Sequence, residues 1–316
     1  MGANIKRATP EAIRAAASIL RQGGVVAMPT ETVYGLAADA SNADAVARLY
    51  EIKQRPQFNP LIAHVNSPQM AALQGELTGN APYLAGFYWP GALTLVVPVT
   101  PACGVCDLAR AGLDTVAMRH PSHSVAHDLI SLVGRPLVAP SANMSGRLSP
   151  VTAQDVAEEL GDKVDLVLDG GRSPIGIEST VVSCVGPHTT LLRPGGVPRD
   201  AIERFLGEPL HAPATGNGSA PASPGMMERH YAPRAQLRLN AEGPELNEVF
   251  VGFGPMAAQY SLSQNGDLKE AAATLFPLLR LLERTHDRIA IAPIPETGLG
   301  EAINDRLRRA AISSVG

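Results

Sequence analysis

Short apolar runs alternate with segments of helical periodicity along the first two hundred residues. The runs 25–28 (VVAM) and 136–139 (PLVA) indicate buried strands. Segment 9–22 is predicted to be a helix, because Thr9 can cap it, Pro10 suits its first turn and Gly23-Gly24 follows its end. Helices are also predicted over 42–54 and 125–133, and strands over 61–65, 93–99, 115–119, 164–168, 179–185 and 190–193. This alternation predicts an α/β fold, and the sheet should be mixed because some neighbouring strands have no helix between them.

The composition changes near residue 207. Segment 207–223 is rich in Gly, Pro, Ala, Ser and Thr and indicates a linker. A polar and aromatic segment, SPGMMERHYAP (223–233), follows it. Strands over 236–239, 249–253 and 288–292 and helices over 268–283 and 299–312 then predict a second, smaller α/β unit. We therefore expect a domain over 1–207, a connecting segment over 208–234 and a C-terminal domain over 235–316.

Polar side chains follow the predicted strands. PTETVYGL (29–36) comes after 25–28, and PSANMSG (140–146) comes after 136–139. Open α/β sheets bind ligands beyond the carboxyl ends of their strands, so both segments are candidates for a site. Lys53, Arg55 and Asn59 lie on a loop that Pro56 and Pro60 stiffen, an arrangement that suits a triphosphate. The alternative is that the two cations only interact favourably with the end of a helix.

Composition excludes several classes of function. The chain has 316 residues, a net charge of −4 and only 4% aromatic residues, which disfavours both a strongly basic polyanion binder and a single-strand binder built on stacked bases. It has no P-loop or complete GxGxxG motif; Gly252-Phe-Gly254 lacks the third glycine. Since the sequence has no signal core and no apolar run of membrane-spanning length, we expect a cytoplasmic protein with no membrane association.

Single residues leave alternatives open. Cys103 and Cys106 have CxxC spacing, for which two surface thiols are favoured over a zinc or redox site. Nearby histidines at 120, 123 and 127 have poor spacing for a metal, and no protein metal ligand is assigned. Arg119 could bind a carboxylate or be an ordinary surface cation. His64, alone, is more typical of a core histidine, and Glu178 is a possible base that more often orients a neighbouring cation.

Several motifs together resemble the L-threonylcarbamoyladenylate synthase family, the YrdC-like proteins. They are PTETVYGL (29–36), KQRPQFNPL (53–61), TVAMRHPSH (115–123), APSANMSG (139–146), IESTVV (177–182) and LLRPGGV (191–197). Segments 223–233, 250–254 and 298–311 resemble the longer, two-domain members. The resemblance implies a YrdC-like open twisted mixed sheet with helices, plus a smaller Rossmann-like α/β C-terminal domain.

The resemblance also implies a reaction. L-Threonine, bicarbonate or CO2, and ATP with Mg2+ would give L-threonylcarbamoyl-AMP and pyrophosphate, with no organic cofactor. Partner proteins would then transfer the threonylcarbamoyl group to adenosine 37 of tRNAs that read codons beginning with A. Phosphoryl-group chemistry of this kind needs positioning and charge neutralisation rather than a covalent nucleophile.

The implied site has two groups of residues. Threonine would be bound by Thr32, His64, Arg119, Ser179 and the Ala139 backbone. ATP would be bound by Lys53, Arg55, Asn59, Thr115, Ser141, Asn143, Ser149, Arg193 and Tyr231. Segment 223–233, which contains Tyr231, would form a lid that excludes water from a hydrolysis-prone anhydride.

Three other functions remain possible at this point. A YrdC-like domain could bind double-stranded RNA or tRNA without chemistry. It could transfer carbamoyl groups, as related domains do in hydrogenase-maturation proteins, although those carry zinc-finger and acylphosphatase-like modules that are not seen in this sequence. It could also be a regulatory protein with an inactive site, which the complete set of polar residues disfavours.

Overall fold

A computed structural model describes residues 3–213 and 231–312, and it confirms an α/β fold. Ten strands of the N-terminal part form one sheet. They are β1 (Ile5–Arg7), β2 (Val26–Met28), β3 (Gly35–Asp39), β4 (Ile62–His64), β5 (Leu93–Pro98), β6 (Thr115–Arg119), β7 (Leu137–Val138), β8 (Leu166–Asp169), β9 (Thr180–Ser183) and β10 (Thr190–Arg193). Their order is β1-β8-β2-β3-β7-β4-β6-β5-β9-β10, and parallel and antiparallel pairs both occur, so the predicted mixed sheet is confirmed.

Eight helices accompany this sheet in the described part of the chain. They are α1 (Pro10–Arg21), α2 (Ala43–Lys53), α3 (Pro68–Gln74), α4 (Ala81–Tyr88), α5 (Asp107–Arg110), α6 (Ser124–Val133), α7 (Ala153–Leu160) and α8 (Arg199–Leu206). The first begins as its sequence predicts, because the Thr9 side chain accepts a hydrogen bond from the Ala12 amide and Pro10 occupies the first turn. α1, α2 and α6 confirm the predicted helices, whereas α3, α4, α5, α7 and α8 are additional.

The two faces of the large sheet are covered differently. One face packs along its whole length against a core cluster that draws residues from α2, α4, α5, α7 and α8. On the other face, α1 and α6 cover only β8, β2, β3 and β7. The neighbouring strands β4, β6, β5 and β9 carry a separate small apolar cluster there, made of Ile62, Ala117, Val96 and Val181. The helices α1 and α6 therefore leave this part of the face uncovered.

The C-terminal domain is a smaller α/β unit, as predicted. Its four-stranded parallel sheet has the order β11-β14-β12-β13. The elements are β11 (Gln236–Arg238), β12 (Val249–Gly252), β13 (Tyr260–Ser261), α9 (Leu268–Leu282), β14 (Arg288–Ile291) and α10 (Leu299–Ala311). No helix in the described ranges is both long and apolar enough to cross a membrane.

The two domains share a core cluster. Val33, Leu148, Val151 and Ile177 of the N-terminal domain lie in the same buried group as the apolar side chains of α9 and α10. Ion pairs cross the same boundary, for example Arg199 Nη2 to Glu301 Oε1 at 2.6 Å. The predicted linker over 207–223 and the lid over 223–233 lie largely outside the described residues; of the lid, only 231–233 is described. The proposed domain limits stay a prediction.

Candidate active site

The incompletely covered part of the large sheet provides the floor of a pocket. Successive side chains of a strand point to opposite faces, so Thr115, Ala117 and Arg119 of β6 share one face. Arg119 lies beside His64 on the neighbouring parallel strand β4. On the same face, Ala117 packs with Ile62, Val96 and Val181 in the small apolar cluster described above. The site thus lies on the face of the sheet and not only beyond the strand ends, where the sequence placed it.

The pocket is a partly open cleft of about 520 Å³, a volume that includes its solvent-filled mouth. It brings together all five residues predicted to bind threonine and four of the nine predicted to bind ATP. The lining residues are Thr32, Val33, Arg55, Leu61, Ile62, His64, Arg119, Ala139, Pro140, Ser141, Glu178, Ser179, Arg193 and Tyr231.

Arg119 is held rigidly on the threonine side of the pocket. It is buried, its Nη2 lies 2.6 Å from Glu31 Oε1, and its Nη1 donates to Thr32 Oγ1 at 2.8 Å. Nε donates to the Gly91 carbonyl at 3.1 Å. Burial by itself would raise the pKa of Glu31, but the Arg119 guanidinium holds it below the ordinary value. Glu31 is therefore a charged partner that fixes Arg119, a role that the sequence did not assign to it.

The histidine beside Arg119 is neutral. Burial, reinforced by the positive charge of Arg119, lowers the pKa of His64 to about 3. Its Nδ1 lies 3.2 Å from the Ile62 carbonyl oxygen. If Nδ1 carries the proton and donates to that carbonyl, Nε2 is an acceptor. His64 then offers a hydrogen-bonding group without charge at this side of the pocket.

Ser179 joins the threonine side to the nucleotide side. Its hydroxyl lies 2.8 Å from Thr94 Oγ1, while Arg193 Nη2 donates to its carbonyl at 2.9 Å. Gly195 permits this arrangement, since a Cβ there would lie 2.4 Å from the carbonyl oxygen of Glu178. The turn after β10 can approach the segment before β9 only because this side chain is absent.

Cations predominate on the nucleotide side. Arg55 and Arg193 are both buried and both line the pocket. Arg55 Nη2 donates to the Pro60 carbonyl at 3.1 Å, which orients the guanidinium within the proline-stiffened loop. Burial lowers the pKa of Arg55 to about 10, so it remains protonated near neutral pH. Two buried guanidinium groups on one wall suit a ligand that carries several negative charges.

Lys53 does not line the pocket, where a phosphate ligand is expected. Its Nζ donates to the carbonyls of Ser141 and Asn143. Burial and the neighbouring Arg55 charge hold its pKa well below the ordinary value. Lys53 thus fixes the loop that presents Ser141.

Four other predicted nucleotide residues lie outside the pocket lining. The Asn143 amide donates to Met144 and Arg147 carbonyls at 2.8 and 2.9 Å, and the Ser149 hydroxyl donates to Glu178. The Asn59 carbonyl accepts from Tyr50 and Arg55 side chains. Thr115 begins β6, on the face that carries Arg119. ATP binding by Lys53, Asn59, Thr115, Asn143 and Ser149 stays a prediction.

Tyr231 comes from the segment between the domains and reaches the pocket. It is buried, and its ring stacks on Phe276 of α9 with centroids 5.6 Å apart. Burial raises its pKa to about 12, so the phenol remains protonated. Its position beside Arg55 and Arg193 in the pocket lining agrees with the predicted nucleotide contact, whereas the lid itself stays a prediction.

Glu178 also lies on the pocket wall. Its Oε2 accepts from Arg306 Nε at 3.0 Å, so the interpretation favoured from the sequence, a glutamate that orients a cation, is confirmed. The sequence did not identify Arg306, which is 128 positions away.

The nearby histidines and cysteines noted in the sequence form no metal site in the described part of the chain. The His120 and His127 rings stack with centroids 6.0 Å apart. Cys103 and Cys106 are free and partly exposed. Within 3–213 and 231–312, no group of three or more His, Cys, Asp or Glu side chains has the arrangement of a metal site.

Comparisons with known families and structures match this geometry. Residues 18–195 match the Sua5/YciO/YrdC family, described as telomere recombination, and residues 197–312 match the family described as threonylcarbamoyl-AMP synthase, C-terminal domain. A threonylcarbamoyl-AMP synthase of Pyrococcus abyssi is 42% identical over 95% of this chain and 94% of its own length. The chain belongs to the two-domain Sua5/YrdC-like family. It is an enzyme of the nucleotidyl-transferring kind to which these synthases belong.

A second relative and a solved structure agree with this assignment. The threonylcarbamoyl-AMP synthase of Bacillus subtilis is 41% identical over 95% of this chain and 92% of its own length. The crystal structure of P. abyssi Sua5 complexed with L-threonine superimposes with a TM-score of 0.88 at 38% identity, and the match covers 98% of this chain and 97% of that one. The family resemblance and the two-domain architecture expected from the sequence are confirmed.

Proposed function

We propose that the protein makes L-threonylcarbamoyl-AMP and pyrophosphate from L-threonine, bicarbonate or CO2, and ATP. The observation that carries the proposal is one pocket whose lining contains both the fixed Arg119 and the buried cations Arg55 and Arg193. An amino-acid carboxylate and a polyphosphate each need such a partner. Relatives that match over nearly the whole chain are named threonylcarbamoyl-AMP synthase, and one was crystallised with L-threonine.

The reaction would proceed by positioning. The carboxylate of threonine would bind Arg119, and its hydroxyl and amino groups would meet Thr32, His64 and Ser179. A carbamate formed from the amino group and CO2 would attack the α-phosphorus of ATP, forming the new P–O bond as the bond to pyrophosphate breaks. Arg55 and Arg193 would stabilise the charge that develops on the phosphates.

Mg2+ would enter with ATP. Glu178 in the pocket lining and Glu31 beside Arg119 are each paired with an arginine, so the phosphates rather than these side chains would supply most of its ligands. When bound, the ion would neutralise phosphate charge and help pyrophosphate leave. Arg55 and Arg193 would then orient the remaining phosphate oxygens.

The product would serve tRNA modification. We propose that partner proteins transfer its threonylcarbamoyl group to adenosine 37 of tRNAs that read codons beginning with A, and that both steps occur in the cytoplasm. The mixed anhydride is prone to hydrolysis, so a closed pocket and prompt transfer would both protect it.

The test is a pyrophosphate assay on the purified full chain with ATP, Mg2+, bicarbonate and L-threonine. We expect pyrophosphate release to require every component, and mass spectrometry to detect threonylcarbamoyl-AMP in equal amount. Serine in place of threonine tests whether the pocket recognises the methyl group, a difference of ~1–3 kcal/mol. Pyrophosphate that forms equally well without threonine would contradict the proposal.

A further inference from the structure

One side chain of the C-terminal domain extends into the pocket wall. Arg306 of α10 is 1% exposed, and its Nε donates to Glu178 Oε2 at 3.0 Å. Its Nη1 donates to the Pro194 carbonyl at 2.6 Å and to Asp305 Oδ2 at 2.9 Å. Arg306 of the smaller domain therefore binds two separate segments of the larger domain, one at Glu178 and the other at Pro194.

The first contact neutralises an acidic group on the nucleotide side. Glu178 lines the pocket that contains Arg55 and Arg193, and it is buried. An unneutralised carboxylate at this place would repel phosphate, since charges interact strongly where water is largely excluded. Ser149 donates a hydrogen bond to Glu178, but a hydroxyl supplies no charge. Arg306 supplies the positive charge of the ion pair, and the nearby Arg193 also interacts electrostatically with Glu178.

The second contact fixes the backbone beside a nucleotide cation. Pro194 directly follows Arg193, whose guanidinium donates to the Ser179 carbonyl. The hydrogen bond from Arg306 to the Pro194 carbonyl holds this part of the chain in place. The direction of Arg193 thus depends in part on a residue that is outside the pocket lining.

The third contact involves the aromatic wall. The Arg306 guanidinium carbon lies 5.3 Å from the centroid of the Tyr231 ring, a cation–π distance. Tyr231 is also stacked on Phe276, so two side chains of the C-terminal domain hold the ring that faces the pocket. The contacts of Arg306 with Glu178, Pro194 and Tyr231 lie on the nucleotide side, whereas Arg119, Thr32 and Glu31 contact one another within the N-terminal domain.

We propose that Arg306 is a positioning residue for the nucleotide, through which the C-terminal domain completes the ATP side of the pocket. It neutralises Glu178 and fixes Pro194 and Tyr231, whereas the contacts that hold Arg119 on the threonine side do not involve it. This inference rests on the proposed function, in which ATP is the nucleotide bound.

The test compares substitutions of two buried arginines of the C-terminal domain. Arg306→Met removes the proposed contacts. Arg280→Met is the matched control, since Arg280 is also buried and also binds the N-terminal domain, through the Leu148 carbonyl and Glu159, without contacting Glu178. Affinity for a non-hydrolysable ATP analogue is measured by calorimetry, KM for ATP and threonine by pyrophosphate release, and folding by thermal denaturation.

We expect Arg306→Met to weaken analogue binding and raise KM for ATP at least tenfold, with KM for threonine within twofold of wild type. Adding Glu178→Gln should recover most of the loss, because removal of the unpaired charge removes the repulsion. Arg280→Met should leave both KM values within twofold. If Arg306→Met does not fold, Arg306→Lys can replace it, because it keeps the charge but not the contacts with Glu178, Pro194 and Tyr231. Arg306→Lys should still weaken binding of the ATP analogue threefold or more, with no loss for threonine.

Equal losses for both substrates, a nucleotide-selective loss in Arg280→Met, or no recovery by Glu178→Gln would overturn the inference. Wild-type behaviour of Arg306→Met would overturn it as well while leaving the proposed function intact. A wild-type protein that neither binds the analogue nor forms pyrophosphate with threonine would instead overturn the proposed function, and this inference with it.

Discussion

The threonine side and the nucleotide side of the pocket are built in different ways. On the threonine side, Arg119 already has a carboxylate partner in Glu31 and a hydroxyl partner in Thr32, all within the N-terminal domain. On the nucleotide side, burial lowers the pKa of Arg55 and Arg193, and part of the wall comes from beyond the N-terminal domain. The first side is fixed before a ligand arrives, whereas the second holds buried positive charge that an arriving phosphate would stabilise.

The difference also concerns which substitutions should damage the fold. Removing a cation whose partner is a buried carboxylate leaves that carboxylate uncompensated, at a cost of about 3–5 kcal/mol. Removing a buried cation that binds backbone carbonyls leaves only neutral acceptors. Substitution of Arg119 should therefore affect stability and function together, and substitution of Arg55, which binds carbonyls, should affect mainly function.

Replacement of Arg119 should give the largest effect. Arg119→Met removes the proposed carboxylate ligand and leaves Glu31 buried without its cation, so we expect a loss of at least ~10³ in kcat/KM for threonine and of about 3–5 kcal/mol in the free energy of unfolding. Pyrophosphate kinetics and urea denaturation measure the two quantities.

The double variant Arg119→Met with Glu31→Gln separates the two consequences. It removes the uncompensated charge, so most of the stability should return while threonine turnover stays lost. Recovery of threonine turnover in this variant would show that Arg119 is only a structural partner of Glu31.

Replacement of Arg55 should give a smaller and more selective effect. Arg55 binds the carbonyls of Asn59 and Pro60, so Arg55→Met should weaken ATP binding by ~10²-fold with little change in KM for threonine. The loss of stability should be below that of Arg119→Met, since no carboxylate is left behind. A fall in threonine affinity as large as the fall in ATP affinity would mean that the two sides of the pocket are not separate.

The sequence predicted the elements of this site better than it predicted their arrangement. Strand β6 and the short strand β4 were both expected, but His64 and Arg119 lie side by side because β4 pairs with β6 and not with the next strand, β5. Such pairing depends on the path of the whole sheet. The strand Gly35–Asp39 was missed because its sequence, GLAAD, contains no β-branched or aromatic residue that would favour a strand.

The contacts between the domains could not be predicted at all. Arg306 is one of several basic residues near the C-terminal end of a predicted helix, a common position for cations that gives no sign of a partner. Its pairing with Glu178 depends on how α10 packs against the pocket wall. The contact of Glu31 was equally unpredictable, because a glutamate next to two threonines gives no sign that its partner lies 88 positions later in the chain.

The smallest expected effect concerns the charge of His64. Its pKa is lowered to about 3 in the folded protein, against about 6.5 in an unfolded chain. Between these values the unfolded state binds a proton that the folded state does not, so stability falls as pH falls from about 6.5 towards 3. One such group contributes roughly 1.4 kcal/mol per pH unit in this range. His64→Gln should therefore flatten the dependence of the urea midpoint on pH between 6 and 4.

His127→Gln is the comparison variant, since it changes a half-exposed histidine and leaves His64 in place. It is expected to retain the steep pH dependence of the wild type. Equal slopes for wild type and His64→Gln would mean that the imidazole is protonated in the folded protein over this range. The threonine side would then carry a second positive charge, on His64 beside Arg119. At acidic pH it would no longer differ from the cationic nucleotide side by having a neutral hydrogen-bonding group.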